Sequence, residues 1–360
     1  MSAYTLLSFP PKVSLETEPV LRALVQAHRY LAELKGVART IPNERLLIST
    51  LSLQEAQSSS EIENIITTQD ALYKYQIQPQ RADPVSKEVA HYVEGLDIGF
   101  RQVRQDGQLT LKTILAVQAA LEGNDAGFRK TPGTVLKNEQ TGEEVYVPPS
   151  PEQVPALMSA LERFIHGNSE LDPLVRMVLI HHQFESIHPF YDGNGRAGRI
   201  INILYLVKEN LLDTPILYLS RFISQTKSTY YQALQEVRDN NDWELWLLYM
   251  IQGIALTAQH TTRLVENIHT LLQEHKQRIR SDYKFYSQDL INNIFRHPYT
   301  KVAFLEQDLG VSRATATRYL DALALDGILQ KHKLGRENYY INHALVNLLF
   351  NLPELDDKNR

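Results

Sequence analysis

Near the middle of the chain, His188-Pro189-Phe190-Tyr191-Asp192-Gly193-Asn194-Gly195-Arg196-Ala197-Gly198-Arg199 places several chemically useful groups in one short stretch. An imidazole titrates near neutrality, so His188 suits a general base. Asp192 is a hard oxygen ligand of the kind Mg²⁺ takes together with substrate phosphates. Gly193 and Gly195 allow backbone conformations and a close ligand approach that a Cβ would block. A helical pattern begins as the glycines end, so free backbone N–H groups and the positive end of a helix dipole converge on the loop, which makes an anion site. Arg196 and Arg199 lie three apart on the first turn and are expected to project to the same side, gripping phosphate oxygens in a fork that Lys cannot copy. The spacing predicts a polyphosphate–Mg²⁺ cradle with a base at its edge.

Asn-Gly is a turn signal by itself, and each group taken singly is as ordinary in structure as in catalysis. Neither G-x-G-x-x-G with a distant acidic residue nor G-x-x-x-x-G-K-S/T is present, which sets aside the Rossmann and P-loop sites. His181, His182, Glu185 and His188 crowd the preceding segment, with His181 and Glu185 four apart on one helix face, but the segment is not H-E-x-x-H. Phe184 and Ile187 between them read as core.

The loop needs helices to hold it. Leu21, Leu24, Val25, His28, Leu31 and Leu34 recur at helical spacing from Pro19, and Gly36 is expected to close that helix. A second helix is expected over 43–57. The polar Ser58-Ser59-Ser60-Glu61-Ile62-Glu63-Asn64 then fits a helix start, because both Ser58-x-x-Glu61 and Ser60-x-x-Glu63 match a capping box. Helical patterns continue over 85–105 and 110–122, the latter capped by Thr110. The period falls to two over 133–147, with Thr141-Gly142 in the turn, which predicts a β-hairpin ended by Pro148-Pro149. Helices resume at 151–166 and 172–186, the second entered at Asp172-Pro173. After the loop, Ile200, Ile201, Ile203, Leu204, Leu206 and Val207 make a helix apolar nearly all round, the pattern of a bundle centre. Segments 228–238 and 242–282 complete the helical body. Beyond it, 304–309, a turn at Gly310, a helix over 313–325 capped by Ser312, and a hairpin through 341 read as a winged helix-turn-helix. Ala316, Tyr319, Leu320 and Leu323 form the expected inward face of its second helix. The expected division is 1–84, a helical N-terminal region; 85–282, the core with its hairpin; and 283–360, the winged helix.

Composition limits the function class. Apolar residues make 43% of the chain and charged residues 22%, ordinary values for a packed globular protein. A formal charge of −5 argues against wholesale coating of nucleic acid. Cys is absent, so thiolate metal sites and Cys nucleophiles are excluded. The opening residues lack the basic and apolar regions of a secretion signal, and a cytoplasmic location is expected.

The stretch 188–199 resembles the Fic family signature H-P-F-x-D/E-G-N-G-R-x-x-R at every specified position. The resemblance extends to His182-x-Phe184-Glu185-x-Ile187, to Gly127-Phe128-Arg129 as a helix-to-flap junction, and to 133–148 as a β-hairpin flap that aligns a target chain by strand addition. It covers roughly residues 15 to 260. It implies a mostly α Fic-fold helical bundle with a small flap, and a protein adenylyltransferase that moves AMP from ATP to a Ser, Thr or Tyr hydroxyl of a target protein, with pyrophosphate leaving. Carried over, His188 is the base and Asp192 the Mg²⁺ ligand. Gly193, Asn194, Gly195, Arg196, Ala197, Gly198 and Arg199 bind the nucleotide, with Asn194 near the α-phosphate, Arg196 on the departing β-phosphate and Arg199 on the γ-phosphate. Phe190 anchors the loop in the core, and Tyr231 walls the adenine side.

Ser59-Ser60-Glu61-Ile62-Glu63-Asn64 matches the family's inhibitory motif S/T-x-x-x-E-G/N, with Ser59, Glu63 and Asn64 at its specified positions. In such members the Glu pairs with the second motif arginine, here Arg199, and this resemblance displaces the capping-box reading. Some members with such a Glu also remove AMP, and the sequence leaves that open. Self-modification and a homo-oligomer are likewise open. The rival function is a DNA-binding or protein-docking regulator using Arg313, Thr315, Thr317 and Arg318 on the recognition helix and Lys331, Lys333 and Arg336 on the wing. Residues 300–342 hold six Lys or Arg against five Asp or Glu, a weak charge surplus for phosphate neutralisation.

Overall fold

Helical signals outnumber strand signals along the chain, and the computed structural model is accordingly an assembly of helices with two small sheets. It describes residues 9–137, 141–335 and 337–353, with Leu6 and Leu355. In chain order the helices of the body are α1 (Glu18–Ala38), α2 (Glu44–Ile62), α3 (Gln69–Ile77), α4 (Pro84–Asp106), α5 (Leu111–Glu122), α6 (Val154–His166), α7 (Pro173–Ile187), α8 (Asn194–Lys208), α9 (Ser220–Gln225), α10 (Lys227–Asn240) and α11 (Trp243–Asp282). Between α5 and α6 stand β1 (Leu136–Lys137) and β2 (Glu144–Tyr146), paired antiparallel as the flap. Residues 138–140 at its tip lie outside the described residues.

Local signals set many of the boundaries. The side chains of Asn43, Asp83, Thr110, Asp172 and Asp242 each accept a backbone N–H in the first turn of the helix they precede, removing an unpaired donor. Two expectations are corrected, and one element was not foreseen. Gly36 does not end α1, which runs on to Ala38, and its buried stripe is Val20, Leu24, Ala27, Leu31 and Leu34, while Leu21 and Val25 face out. No helix starts at Ser58 or Ser60, because α2 runs through the serines and ends with Glu63 at its C-cap. The segment after Asn64 contains α3, which shows little helical periodicity.

Helix α8 sits at the centre, packed by α4, α5 and α7, and is buried along most of its length. Helix α1 lies along α11, while α2 packs on α4 and α9. The N-terminal helices are therefore packed into the body, and the 84/85 division falls at the start of α4.

The C-terminal module comprises α12 (Gln288–Arg296), β3 (Tyr299–Lys301), α13 (Val302–Leu309), α14 (Arg313–Leu325), β4 (Gln330–Leu334), β5 (Glu337–Ile341) and α15 (His343–Phe350). Its antiparallel sheet has the order β3-β5-β4, giving the expected winged helix-turn-helix, with Ser312 capping α14. Ala316, Leu320 and Leu323 are buried as expected, with Tyr319 half-buried against Phe285. Strand β3, α12 and α15 were not expected. The module rests on α2 and α3. Tyr73 is stacked between Tyr299 and Phe350, Ser49 donates to the Arg296 carbonyl at 3.0 Å and Gln54 to that of Leu349 at 2.9 Å. Among the described residues no helix is long and apolar enough to cross a membrane.

Candidate active site

The central loop joins the C-terminus of α7 to the N-terminus of α8. His188 caps α7 in the left-handed region, with φ 49°, a conformation that costs a residue with a side chain about 1–3 kcal/mol. Gly193, with φ 75°, makes the turn into α8. Phe190 is buried against Phe128 and Phe184, anchoring the loop as expected. Asn194 opens α8 with its side chain turned back on the loop. Its Oδ1 accepts the Phe190 N–H at 2.8 Å and its Nδ2 donates to the Phe190 carbonyl at 3.0 Å. The side chain braces the loop, so what Asn194 offers an anion is its backbone N–H at the start of α8.

Three glycines clear space for three carboxylates. A Cβ at Gly193 would collide with Glu122, at Gly195 with Glu63, and at Gly198 with Glu185. The two arginines do not work on one side. Arg196, 2% exposed, donates to Glu88 of α4 at 3.1 Å and to Glu122 at the end of α5 at 2.9 Å. Its Nε is buried with no hydrogen-bond partner among the described residues. Arg199, 3% exposed, turns to α2: Nε donates to Ser59 Oγ at 2.8 Å, and NH2 to the Ser59 carbonyl at 2.8 Å and to Glu63 Oε1 at 2.7 Å. The left-handed Asn64 follows, its Oδ1 accepting from Lys227 at the start of α10.

Burial pulls the His188 pKa down to about 4, with Arg129 and Arg238 adding to the fall and Glu63 opposing it. A neutral imidazole, able to accept a proton, is therefore present throughout the physiological range. Burial also pushes Glu185 up to about 7, against the opposing charge of Arg199. His181 is fully engaged: Tyr230 OH meets its Nε2 at 2.9 Å, and Asn202 donates to its Nδ1 at 3.1 Å. Asp192 is exposed and accepts the Gly193 N–H with one oxygen at 2.7 Å. Among the described residues no group of three or more His, Asp or Glu is placed to hold a cation. A lone carboxylate fits Mg²⁺ only as a shared ligand beside phosphate oxygens and water.

Family models place this geometry. The model for the N-terminal part of the Fic/DOC family matches residues 21–101, that of the Fic/DOC family itself 108–206, and that of the C-terminal domain of the SoFic-like protein adenylyltransferases 271–345. The chain belongs to the Fic/DOC family. A probable protein adenylyltransferase of Aquifex aeolicus is 35% identical over 94 residues, covering 26% of this chain and 27% of that protein. The protein adenylyltransferase Fic of Drosophila melanogaster is 26% identical over 147 residues, 39% of this chain and 28% of its own. The chain thus spans little more than a quarter of the length of these curated relatives. A solved Fic family protein of Desulfovibrio desulfuricans shares the fold over 92% of this chain and 98% of its own, with a TM-score of 0.56 and 20% identity. A Fic domain containing signaling protein of Bacteroides thetaiotaomicron covers 67% of this chain and 97% of its own, at a TM-score of 0.56 and 20% identity.

In this Fic/DOC chain several site residues had no local sequence signal. Glu88 and Glu122 lie on helices that read only as scaffold, and Arg129 was marked only as part of the helix-to-flap junction, with no role given to its side chain. Glu55 of α2 is buried and accepts from Tyr92 at 3.0 Å and from the backbone and hydroxyl of Ser220, tying α2 to α4 and α9. Burial pushes it up to about 7, with Ser220 and Tyr92 opposing. Tyr231 is 44% exposed on α10, edge-on to Tyr230.

The winged-helix candidates are dispersed. Arg313 is exposed, 4.0 Å from Glu306. Thr317 bonds its own helix, and Arg318 covers Tyr319. Thr315 is half-buried beside the Ser312 cap, and Lys331 pairs with Asp321 at 2.7 Å. Lys333 is exposed. Arg336 lies outside the described residues. The wing leans on the body, where Gln78 donates to the Leu334 carbonyl and to Glu337.

Proposed function

We propose that the chain is a protein adenylyltransferase that transfers AMP from ATP to a Ser, Thr or Tyr hydroxyl and is restrained by Glu63. The observation that carries the reading is the Arg199–Glu63 ion pair, closed over Gly195 at the mouth of a helix-terminal anion cradle. A carboxylate there occupies the donors a terminal phosphate would use.

In the reaction, neutral His188 takes the proton of the target hydroxyl. The oxygen attacks the α-phosphorus, an O–P bond forms, and the bond to the β-phosphate bridge breaks, releasing pyrophosphate. Backbone N–H groups of Asn194 and Gly195 receive the phosphate charge beside Gly193, whose own N–H is taken by Asp192, and Arg196 takes that of the leaving group. Ala197 and Gly198 continue the first turn without bulk, and Arg199 engages the γ-phosphate only when Glu63 yields. Mg²⁺, held by Asp192 and phosphate oxygens, would neutralise charge on the polyphosphate. Tyr231, exposed near the start of α10, walls the adenine side. The flap presents the target backbone. The functional division follows 1–84, 85–282 and 283–360, with the first part supplying Glu63.

Wild type, Glu63→Gly and Glu63→Gly/His188→Ala would be incubated with Mg²⁺ and α-labelled ATP, with intact-mass detection on the protein and on added lysate. Transfer of an AMP-sized group that rises with Glu63→Gly and disappears without His188 is expected. Equal transfer in all three would remove both the base and the restraint. The DNA-binding alternative draws less support, since the wing contacts Gln78 at the end of α3 and Lys331 is paired with Asp321.

A further inference from the structure

One buried cation near the loop has no part in the reaction above. Arg129 precedes the flap and is 2% exposed. Its Nε donates to the His188 carbonyl at 2.8 Å, and NH2 donates to the Pro149 carbonyl at 2.5 Å and the Ile187 carbonyl at 3.4 Å. Its backbone N–H reaches the Pro189 carbonyl at 2.9 Å, and the next residue, Lys130, donates its N–H to Tyr191 OH at 2.8 Å. A single side chain therefore joins the end of α7, the base itself and the exit of the flap.

We propose that Arg129 is the positioning residue for His188, fixing the backbone of the base to both ends of the flap that presents the target. This rests on His188 being the base. Three features support it. His188 holds a left-handed conformation, which persists only where neighbours over-determine it. The carbonyls Arg129 engages include those ending α7, where the helix dipole is negative, so a buried guanidinium is stabilised there without a carboxylate partner. Its planar fork also reaches carbonyls on separate segments at once, which an ammonium does less well. One contact thus sets the distance between the base and the bound target backbone.

The same cation acts on the charge of the base. The charged groups around His188 are Arg129, Arg238 from α10 and Glu63 from α2, with Glu185 one turn earlier on its own helix. Arg129 disfavours the imidazolium. Removing it raises the His188 pKa, so the acid limb of activity moves to higher pH. Replacing it with Lys keeps the charge and loses the fork.

The test compares Arg129→Gln and Arg129→Lys in the Glu63→Gly background. Both should lower kcat for AMP transfer by roughly 10- to 100-fold, with KM for ATP changed by less than about twofold because the cradle on α8 is untouched. Only Arg129→Gln should move the acid limb upward. NMR titration of the His188 ring in the otherwise wild-type chain needs no turnover, and should show a raised pKa in Arg129→Gln and an unshifted one in Arg129→Lys. A thermal shift with unchanged kcat, acid limb and ring titration would overturn the proposal. If the Glu63→Gly parent transfers no AMP, the proposed function fails, while an unchanged ring titration in Arg129→Gln still overturns the role of Arg129.

Discussion

Arg196 and Arg199 stand one turn apart on the same helix, and the two are held by different parts of the molecule. Arg196 is fixed by Glu88 and Glu122, from α4 and α5, which pack directly on α8. Arg199 is fixed by Ser59 and Glu63, both from the end of α2. Two of the five N–H donors of Arg196 are spent on scaffold carboxylates, and its Nε has no partner among the described residues. The partners of Arg199 lie at the end of α2, Ser59 buried in its last turn and Glu63 at its C-cap. A buried guanidinium needs a partner in either case. Under the function proposed above, the scaffold partners of Arg196 act as a brace and Glu63 as a removable restraint on Arg199.

The comparison can be broken or sharpened by substitution. The largest effect is expected from Glu63→Gly, which should raise AMP transfer roughly 100-fold, the scale of an alignment error of about 1 Å. A steady-state assay with labelled ATP reads this, and an unchanged rate would remove the distinction between the two arginines. Glu122→Gln should act in the opposite direction. With the brace weakened, transfer in the Glu63→Gly background should fall about tenfold, the loss of one charge-assisted contact. An increase would make Glu122 a second restraint.

Ser59→Ala removes the Oγ bond to Arg199 but leaves the carbonyl and Glu63, so a gain of only a few-fold is expected by the same assay. Activation as large as that of Glu63→Gly would shift the restraint from the carboxylate to the serine. The smallest effect concerns α2 itself. Glu55 has a folded pKa near 7, above its ordinary value, so the folded state binds the extra proton between those two values. Its contribution to stability is present at low pH and is lost as pH rises through 7. Glu55→Gln should flatten that part of the Tm-against-pH curve, and an unchanged slope would place the titration elsewhere.

The fold was legible in the sequence where its signals are local. The caps at Thr110, Asp172, Asp242 and Ser312 mark helices that form where expected, because a side chain satisfying its own first-turn N–H needs no distant partner. The period-two stretch became the flap, and the loop from Phe190 to Gly195 turned as its glycines require. The short helices α3, α9, α12 and α15 were missed: α3 has little periodicity and leans on tertiary packing, whereas α12 is amphipathic and capped by Ser287, a local signal the reading passed over.

The sequence by itself determined which chemical groups meet at the loop, since His188, Asp192, the glycines and both arginines are close in the chain and cannot separate. Tertiary structure decided what each group faces. The serines before Glu63 fit a helix start and a helix end almost equally well, and Arg199, lying 140 residues from Ser59, settles the choice by needing a partner. The arginines part because α2 covers one side of α8 and α4 with α5 the other. Arg129 reaches His188 across 59 residues, and Glu55 reaches Ser220 across 165. Short-range spacing carries no record of such pairs, because they are set by where packed helices bring buried charge and its counterpart together.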